Sequence, residues 1–325
     1  MKELVFRYHN QQIKENEKTL LCGILNVTPD SFSDGGKYFQ RDVAIKKGLE
    51  LIQAGANILD IGGESTRPGS VYVQIEEEIQ RIAPVIKALK EQTDIPISVD
   101  TWKAEVAKAA IEAGADIVND ITGFLGDPAM AEVVGQTSAG AILMFNPVIA
   151  RPEHTSSKAF PKFGGEGVYT DAELSANVER DVLELMMDFF DRGIQRANTA
   201  GIENDRLMLD PGIGFGLTKR ENLILIQQID QIHRKGYLSF LGVSRKRFVQ
   251  NILEENGFNT DIHSEEGFEN RDLASSYLSA IAVLKRVSIV RVHQIPAHKM
   301  AVAMASSVAM AESEADLNFG AYQNK

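Results

Sequence analysis

One cysteine and one tryptophan stand among 325 residues, and aromatic residues make up only 7% of the chain. With Cys22 alone no internal disulfide can form, which excludes the disulfide-stapled scaffolds and fits a reducing compartment. Cys22 lies in the apolar stretch LLCGILNV with no histidine nearby, so the residue reads as buried and structural, not as a nucleophile. Long apolar runs are also missing. No stretch of about 18 apolar residues occurs, and none of the length needed to span a bilayer is expected. The segment Met1 to Lys18 is charged and polar, without the apolar core of a secretory signal. These absences together predict a cytoplasmic protein.

Positive charge is in deficit: 34 Lys and Arg face 45 Asp and Glu, a net charge of −11. A general nucleic-acid or anionic-membrane binder would show the opposite balance. A phosphate-bearing substrate stays open, because such a site depends on local charge. The chain has no His/Cys cluster at zinc spacing, no GxxxxGK[ST] and no GxSxG. GIGFG (212–216) lacks the full GxGxxG spacing of a dinucleotide fingerprint.

What is present is rhythm. Short, nearly continuous apolar runs at 20–27, 57–63, 95–100, 115–120, 140–146, 206–212, 239–244 and 288–294 alternate with longer amphipathic stretches. Such runs suit strands buried on both faces of a parallel sheet. Ile75, Ile79, Ile82, Ile86 and Leu89 recur at helical spacing, with Pro84 expected to interrupt that helix. The stretch 103–113 ends at Gly114, a helix stop, and Gly193 is expected to divide the long stretch 172–200. Eight strand-then-helix units predict an α/β (β/α)8 TIM barrel, one domain over 1–325 with its core at about 20–310. The leading ELVFRYHNQQIK predicts a small N-terminal hairpin capping the barrel bottom, and the polar residues from about Glu312 are expected to fray. Two long connections, 147–167 and 256–272, break the rhythm and are expected to be functional or mobile.

Barrel chemistry sits at the C-terminal ends of the strands. Those ends carry Asn26, Asp60, Asp100, Asn119, Asn146, Asp210, Ser244 and the pair Arg291 and His293. Each alone could be a helix cap; together on one rim they read as an active site. Three carboxylates beside carboxamides suit a flat heterocycle rich in N–H donors, since a carboxylate accepts two parallel hydrogen bonds. Pairing with Lys246 or Arg291, or a hard metal with magnesium first, are the other uses of such carboxylates. Arg67, SRKR (244–247) and RVH (291–293) place cations at the same mouth, suited to an anion.

GILNVTPDSFSDGG (23–36), LDIGGESTRPGS (59–70), ISVDTWK (97–103), DIVNDITG (116–123), LDPGIGFG (209–216), LGVSRK (241–246) and VRVH (290–293) resemble, in order, the motifs of the dihydropteroate synthase family. The resemblance spans almost the whole chain. It implies condensation of 6-hydroxymethyl-7,8-dihydropterin pyrophosphate with 4-aminobenzoate, a homodimer, and inhibition by sulfonamides. It also implies residue roles. Asn26 would help hold a magnesium–pyrophosphate. Asp100, Asn119, Asp210 and Lys246 would bind the pterin, with Met144 against the ring and Val292 within the same motif. Arg291 would flank the pterin and, with His293 and Arg67, grip the pyrophosphate. Thr66, Pro68, Phe32, Phe215 and Ser244 would form the 4-aminobenzoate pocket. Asp60, Asp100, Lys246 and Arg291 would carry the catalytic electrostatics.

The chain departs from the family's common pattern at Gln294, where Asp is usual, at Leu217, where Lys is frequent, and at MFNP after the fifth strand. A corrinoid-linked methyltransferase would share the pterin-binding residues but would not need FSDGG or STRPG. A non-catalytic pterin binder would have lost Arg67, Lys246 or Arg291, and all three remain.

Overall fold

The computed structural model describes residues 3–15, 17–28, 37–313 and 315. A hairpin of β1 (Val5–Tyr8) and β2 (Gln11–Lys14) leads into β3 (Leu20–Asn26), α1 (Lys37–Ala54), β4 (Ile58–Gly62), α2 (Ile75–Lys90), β5 (Ile97–Asp100), α3 (Ala104–Glu112), β6 (Ile117–Asp120), α4 (Met130–Gly135) and β7 (Gly140–Met144). The long connection holds α5 (Pro147–Ala150) and α6 (Asp171–Asn177), and is followed by α7 (Val182–Thr199) and β8 (Leu207–Asp210). Then come α8 (Lys219–Gln227), α9 (Asp230–Arg234), β9 (Leu238–Leu241), α10 (Arg247–Glu255), α11 (Glu265–Leu284), β10 (Ile289–Val292) and α12 (Ile295–Ala309). Strands β3 to β10 close in order into a parallel barrel, as the strand-then-helix rhythm predicts.

Successive side chains of a strand point to opposite faces. Leu59, Ile61, Val99, Val118, Leu143, Leu209, Val290 and Val292 pack with the helices in the outer core. Cys22, Ile58, Ile117, Ile142, Met208, Phe240 and Ile289 form a separate apolar cluster with Phe6, Tyr8 and Ile13 of the hairpin. The hairpin therefore plugs the barrel bottom, as expected. Phe6 is fully buried, and a side chain on Gly140 would begin 2.5 Å from its ring. Burying such a ring contributes about 1.5–3 kcal/mol.

Two expectations about helices are corrected. Pro84 does not interrupt α2, which runs unbroken from Ile75 to Lys90. The proline costs about 3 kcal/mol, but Ile82, Val85, Ile86 and Leu89 are fully buried, and each contributes about 1.5–3 kcal/mol. Gly193 lies inside α7 and divides nothing. The break falls before Asp181, whose carboxylate accepts from the Leu183 and Glu184 amides and caps α7. A side chain at Gly193 would lie 2.4 Å from the Gly123 carbonyl, so glycine there permits close helix packing. The connection after β9 is also shorter than expected, because α11 begins at Glu265 with Ser264 as its cap.

Candidate active site

Two residues beyond the apolar bottom layer, the same pleat turns Asp60, Asn119, Met144, Asp210 and Arg291 toward the barrel's other end. The Arg291 guanidinium ties two of the carboxylates together. Its Nε donates to Asp60 Oδ2, and its Nη2 donates to Asp100 Oδ2 at 2.6 Å. Asn119 Nδ2 donates to Asp60 Oδ2 at 3.2 Å. Asp60 is wholly buried and its Oδ1 has no partner among the described residues. Across the mouth, Asp210 Oδ1 accepts from the Gly212 amide at 2.7 Å.

Burial dominates the electrostatics. It pushes the Asp100 carboxyl up to about 7, against the pull of Arg291 and with the help of Asp60. It raises Asp210 to about 6, opposed by the Gly212 amide and Lys246. It lowers Lys246 to about 8, opposed by Asp210 and Asp100. His293 is pushed down to about 2 by burial and then by Arg245, Arg291, Arg67 and Lys246, so it is a neutral imidazole. Its Nδ1 and the Ser244 hydroxyl lie 2.9 Å apart. Displaced pKa values gathered at one end of the barrel mark a functional site.

The aromatic side of the mouth is built by glycine. Gly214 has φ +86°, and a side chain there would meet Lys246 Cδ at 2.7 Å. The Lys246 ammonium lies 4.9 Å from the centre of the Phe215 ring, within cation–π range. Phe160, from the long connection after β7, stacks on Phe215 at 5.7 Å. That connection is anchored by Arg151, 1% exposed, which donates to both Glu221 oxygens at 2.7 and 2.9 Å and to the Gly216 carbonyl at 3.3 Å. Arg151 is a supporting residue that the sequence reading missed. Its partner is 70 residues away, and no local pattern announces it.

Not every expected residue joins the mouth. Val292 is fully buried in the outer core, because it alternates with the inward Arg291. Asn146 is a helix cap, its carboxamide accepting from Val148 and donating to the Ile121 carbonyl. Phe32 lies outside the described residues. Thr66, Arg67 and Pro68 stand on the loop between β4 and α2, where Arg67 is exposed yet close enough to disfavour charge on Lys246 and His293. Gln294 is exposed beside His293, and Leu217 packs against the outer core.

No three His, Cys, Asp or Glu side chains among the described residues form a metal cluster. Asn26 ends β3 half-buried, and its side chain makes no hydrogen bond to any described residue. A carboxamide oxygen is a hard donor of the kind magnesium accepts when phosphates and waters complete its shell.

The pterin binding enzyme family model matches residues 22–293. The dihydropteroate synthase of Clostridium beijerinckii is 38% identical over 296 residues, covering 91% of this chain and 96% of that protein. The structure of the Clostridium difficile dihydropteroate synthase determined with pteroic acid aligns at TM-score 0.74 and 35% identity, over 90% of this chain and 98% of that one. The Xanthomonas albilineans dihydropteroate synthase determined with 4-aminobenzoic acid aligns at 0.77 and 32% identity, over 95% and 99%. On this agreement of family, length and barrel, the chain belongs to the dihydropteroate synthase family of pterin-binding enzymes.

Proposed function

We propose that this chain is a transferase that condenses 6-hydroxymethyl-7,8-dihydropterin pyrophosphate with 4-aminobenzoate, giving 7,8-dihydropteroate and pyrophosphate for folate synthesis. The observation that carries the proposal is the mouth itself, where Asp60, Asp100, Asn119 and Asp210 gather with Lys246 and Arg291. Carboxylates and a carboxamide accept the pterin's N–H groups, and the cations receive the phosphates.

The C–O bond to pyrophosphate breaks with its electron pair leaving on oxygen, and the amine nitrogen supplies the pair for the new C–N bond. The new ammonium then gives up one proton, which the departing pyrophosphate accepts. Positive charge develops on the pterin methylene as the bond breaks. A carboxylate about 4 Å away stabilises it by roughly 4 kcal/mol at an effective dielectric of about 20, close to a thousandfold in rate. This is electrostatic stabilisation, not covalent catalysis. Arg291, His293 and Arg67 would hold the departing anion, His293 as a neutral N–H donor. A magnesium ion held by Asn26 and phosphate oxygens would neutralise further charge on the leaving group. Thr66, Pro68, Phe215 and Ser244, with Phe32, would orient the weakly nucleophilic amine, whose main need is positioning.

A homodimer in the cytoplasm completes the proposal. Leu273, Tyr277 and Ile281 on α11 and Met300, Met304 and Val308 on α12 recur every four residues and are exposed. An apolar face of that kind suits a second copy of the chain. Tyr277→Asp should shift the sedimenting species to the monomer mass; an unchanged mass would remove this face from consideration.

The test of function is an assay with the dihydropterin pyrophosphate, 4-aminobenzoate and magnesium. Dihydropteroate and pyrophosphate should appear in equal amounts. Tight pterin binding without either product would leave a binding protein instead.

A further inference from the structure

Lys103 is 2% exposed, and the chemistry proposed above does not use it. It stands three residues after Asp100 on the connection from β5 to α3. Its Nζ donates to Glu64 Oε1 at 3.0 Å, to Glu78 Oε2 at 2.8 Å and to the Val73 carbonyl at 2.5 Å. Glu64 and Val73 are the two ends of the loop that carries Thr66, Arg67 and Pro68. They also meet each other, the Val73 amide donating to Glu64 Oε1 at 2.7 Å. The other Glu64 oxygen accepts from Trp102 Nε1 at 2.9 Å. The Trp102 ring makes edge contacts with Tyr72 at 6.0 Å and with Phe163 at 6.2 Å. The Lys103 ammonium lies 4.0 Å from the centre of the Tyr72 ring.

A buried ion cluster is a weak way to gain stability, because desolvation cancels most of the attraction. It does impose one geometry, since leaving any member unpaired is costly. Here that geometry is the neck of a loop. At the tip, Thr66 and Arg67 make no side-chain hydrogen bond to any described residue, so the neck decides where they stand.

We propose that Lys103 and Trp102 are positioning residues that clamp the neck of the 64–73 loop and thereby hold Thr66, Arg67 and Pro68 over the aromatic-amine side of the site. The clamp and Asp100 share one short connection, so the pterin-binding strand end and the amine loop are built on the same support. The inference rests on the function proposed above.

Trp102→Phe is the direct test, because it keeps an aromatic ring between Tyr72 and Phe163 while removing the N–H donor to Glu64. Losing a hydrogen bond to a charged group should raise the KM for 4-aminobenzoate about tenfold. The Kd for the dihydropterin pyrophosphate, measured by calorimetry without the amine, should stay within about twofold of the parent. Amide exchange over residues 65–73 should quicken while β5 remains protected. Lys103→Met should move the same readouts further, with its melting temperature recorded to identify general unfolding. Amine and pterin constants rising together, an unmoved amine KM, or unchanged exchange over 65–73 would each overturn the clamp. A parent protein with no turnover would instead defeat the functional reading, and the exchange comparison would still decide the clamp.

Discussion

At the hairpin end of the barrel, Cys22, Ile58, Ile117, Ile142, Met208, Phe240 and Ile289 meet Phe6 and Ile13 in an apolar plug. At the other end the same strands present Asn26, Asp60, Asn119, Met144, Asp210 and Arg291. One pleated wall thus has a finished bottom and an unfinished top. At the bottom, burial is unopposed gain. At the top, burial pushes Asp100 and Asp210 up and Lys246 down, each toward its uncharged form. Groups held charged against that tendency are poised to gain from a ligand that brings N–H donors and phosphate. The contrast teaches that stability and chemistry are divided along the barrel axis.

The sharpest way to break this division is to exchange its consequences. Asp100→Ala should lower turnover by roughly a thousandfold or more, while calorimetry finds the fold retained. Phe6→Ala should do the reverse, costing about 3–5 kcal/mol in urea unfolding with kcat per folded molecule preserved. A large stability loss in the first, or a large kcat loss in the second, would dissolve the distinction.

Acidity supplies a gentler separation. Asp210 is raised from 3.8 to about 6, so the folded chain holds this proton more tightly than the unfolded one. Between those values the native state binds more protons, and the contribution of Asp210 to stability rises as pH falls and is lost as pH climbs past about 6. Pterin binding should move the opposite way, weakening first as Asp100 is protonated below about 7 and more steeply below about 6 as Asp210 follows, the second step being the one Asp210→Asn removes. Titrating pterin affinity and melting temperature across pH 5 to 8 in parent and Asp210→Asn separates the two. Parallel loss of both in the parent, or the same pH profile in Asp210→Asn, would count against the assignment.

Much of this was legible in the sequence, for identifiable reasons. Strands buried on both faces read as continuous apolar runs, so their number and order could be counted. The same continuity hides which face each residue takes, so VRVH does not show that Val292 packs outward beside the inward Arg291. Polar residues at strand ends stood out, but a cap and a ligand share one chemistry, and Asn146 proved to be a cap. Local propensity alone makes Pro84 and Gly193 helix breaks, and packing against the barrel overrides it. Arg151 and Lys103 were illegible as supports, because Glu221 and Glu64 reach them only through the closed fold.

The most direct test of the central claim, that this mouth breaks a C–O bond to pyrophosphate for an incoming amine, uses substrate labelled with 18O at the bridging ester oxygen. All of the label should leave in pyrophosphate, with one dihydropteroate formed for each pyrophosphate released. Label retained on a hydroxymethylpterin would mean cleavage at phosphorus, and would contradict the transfer altogether.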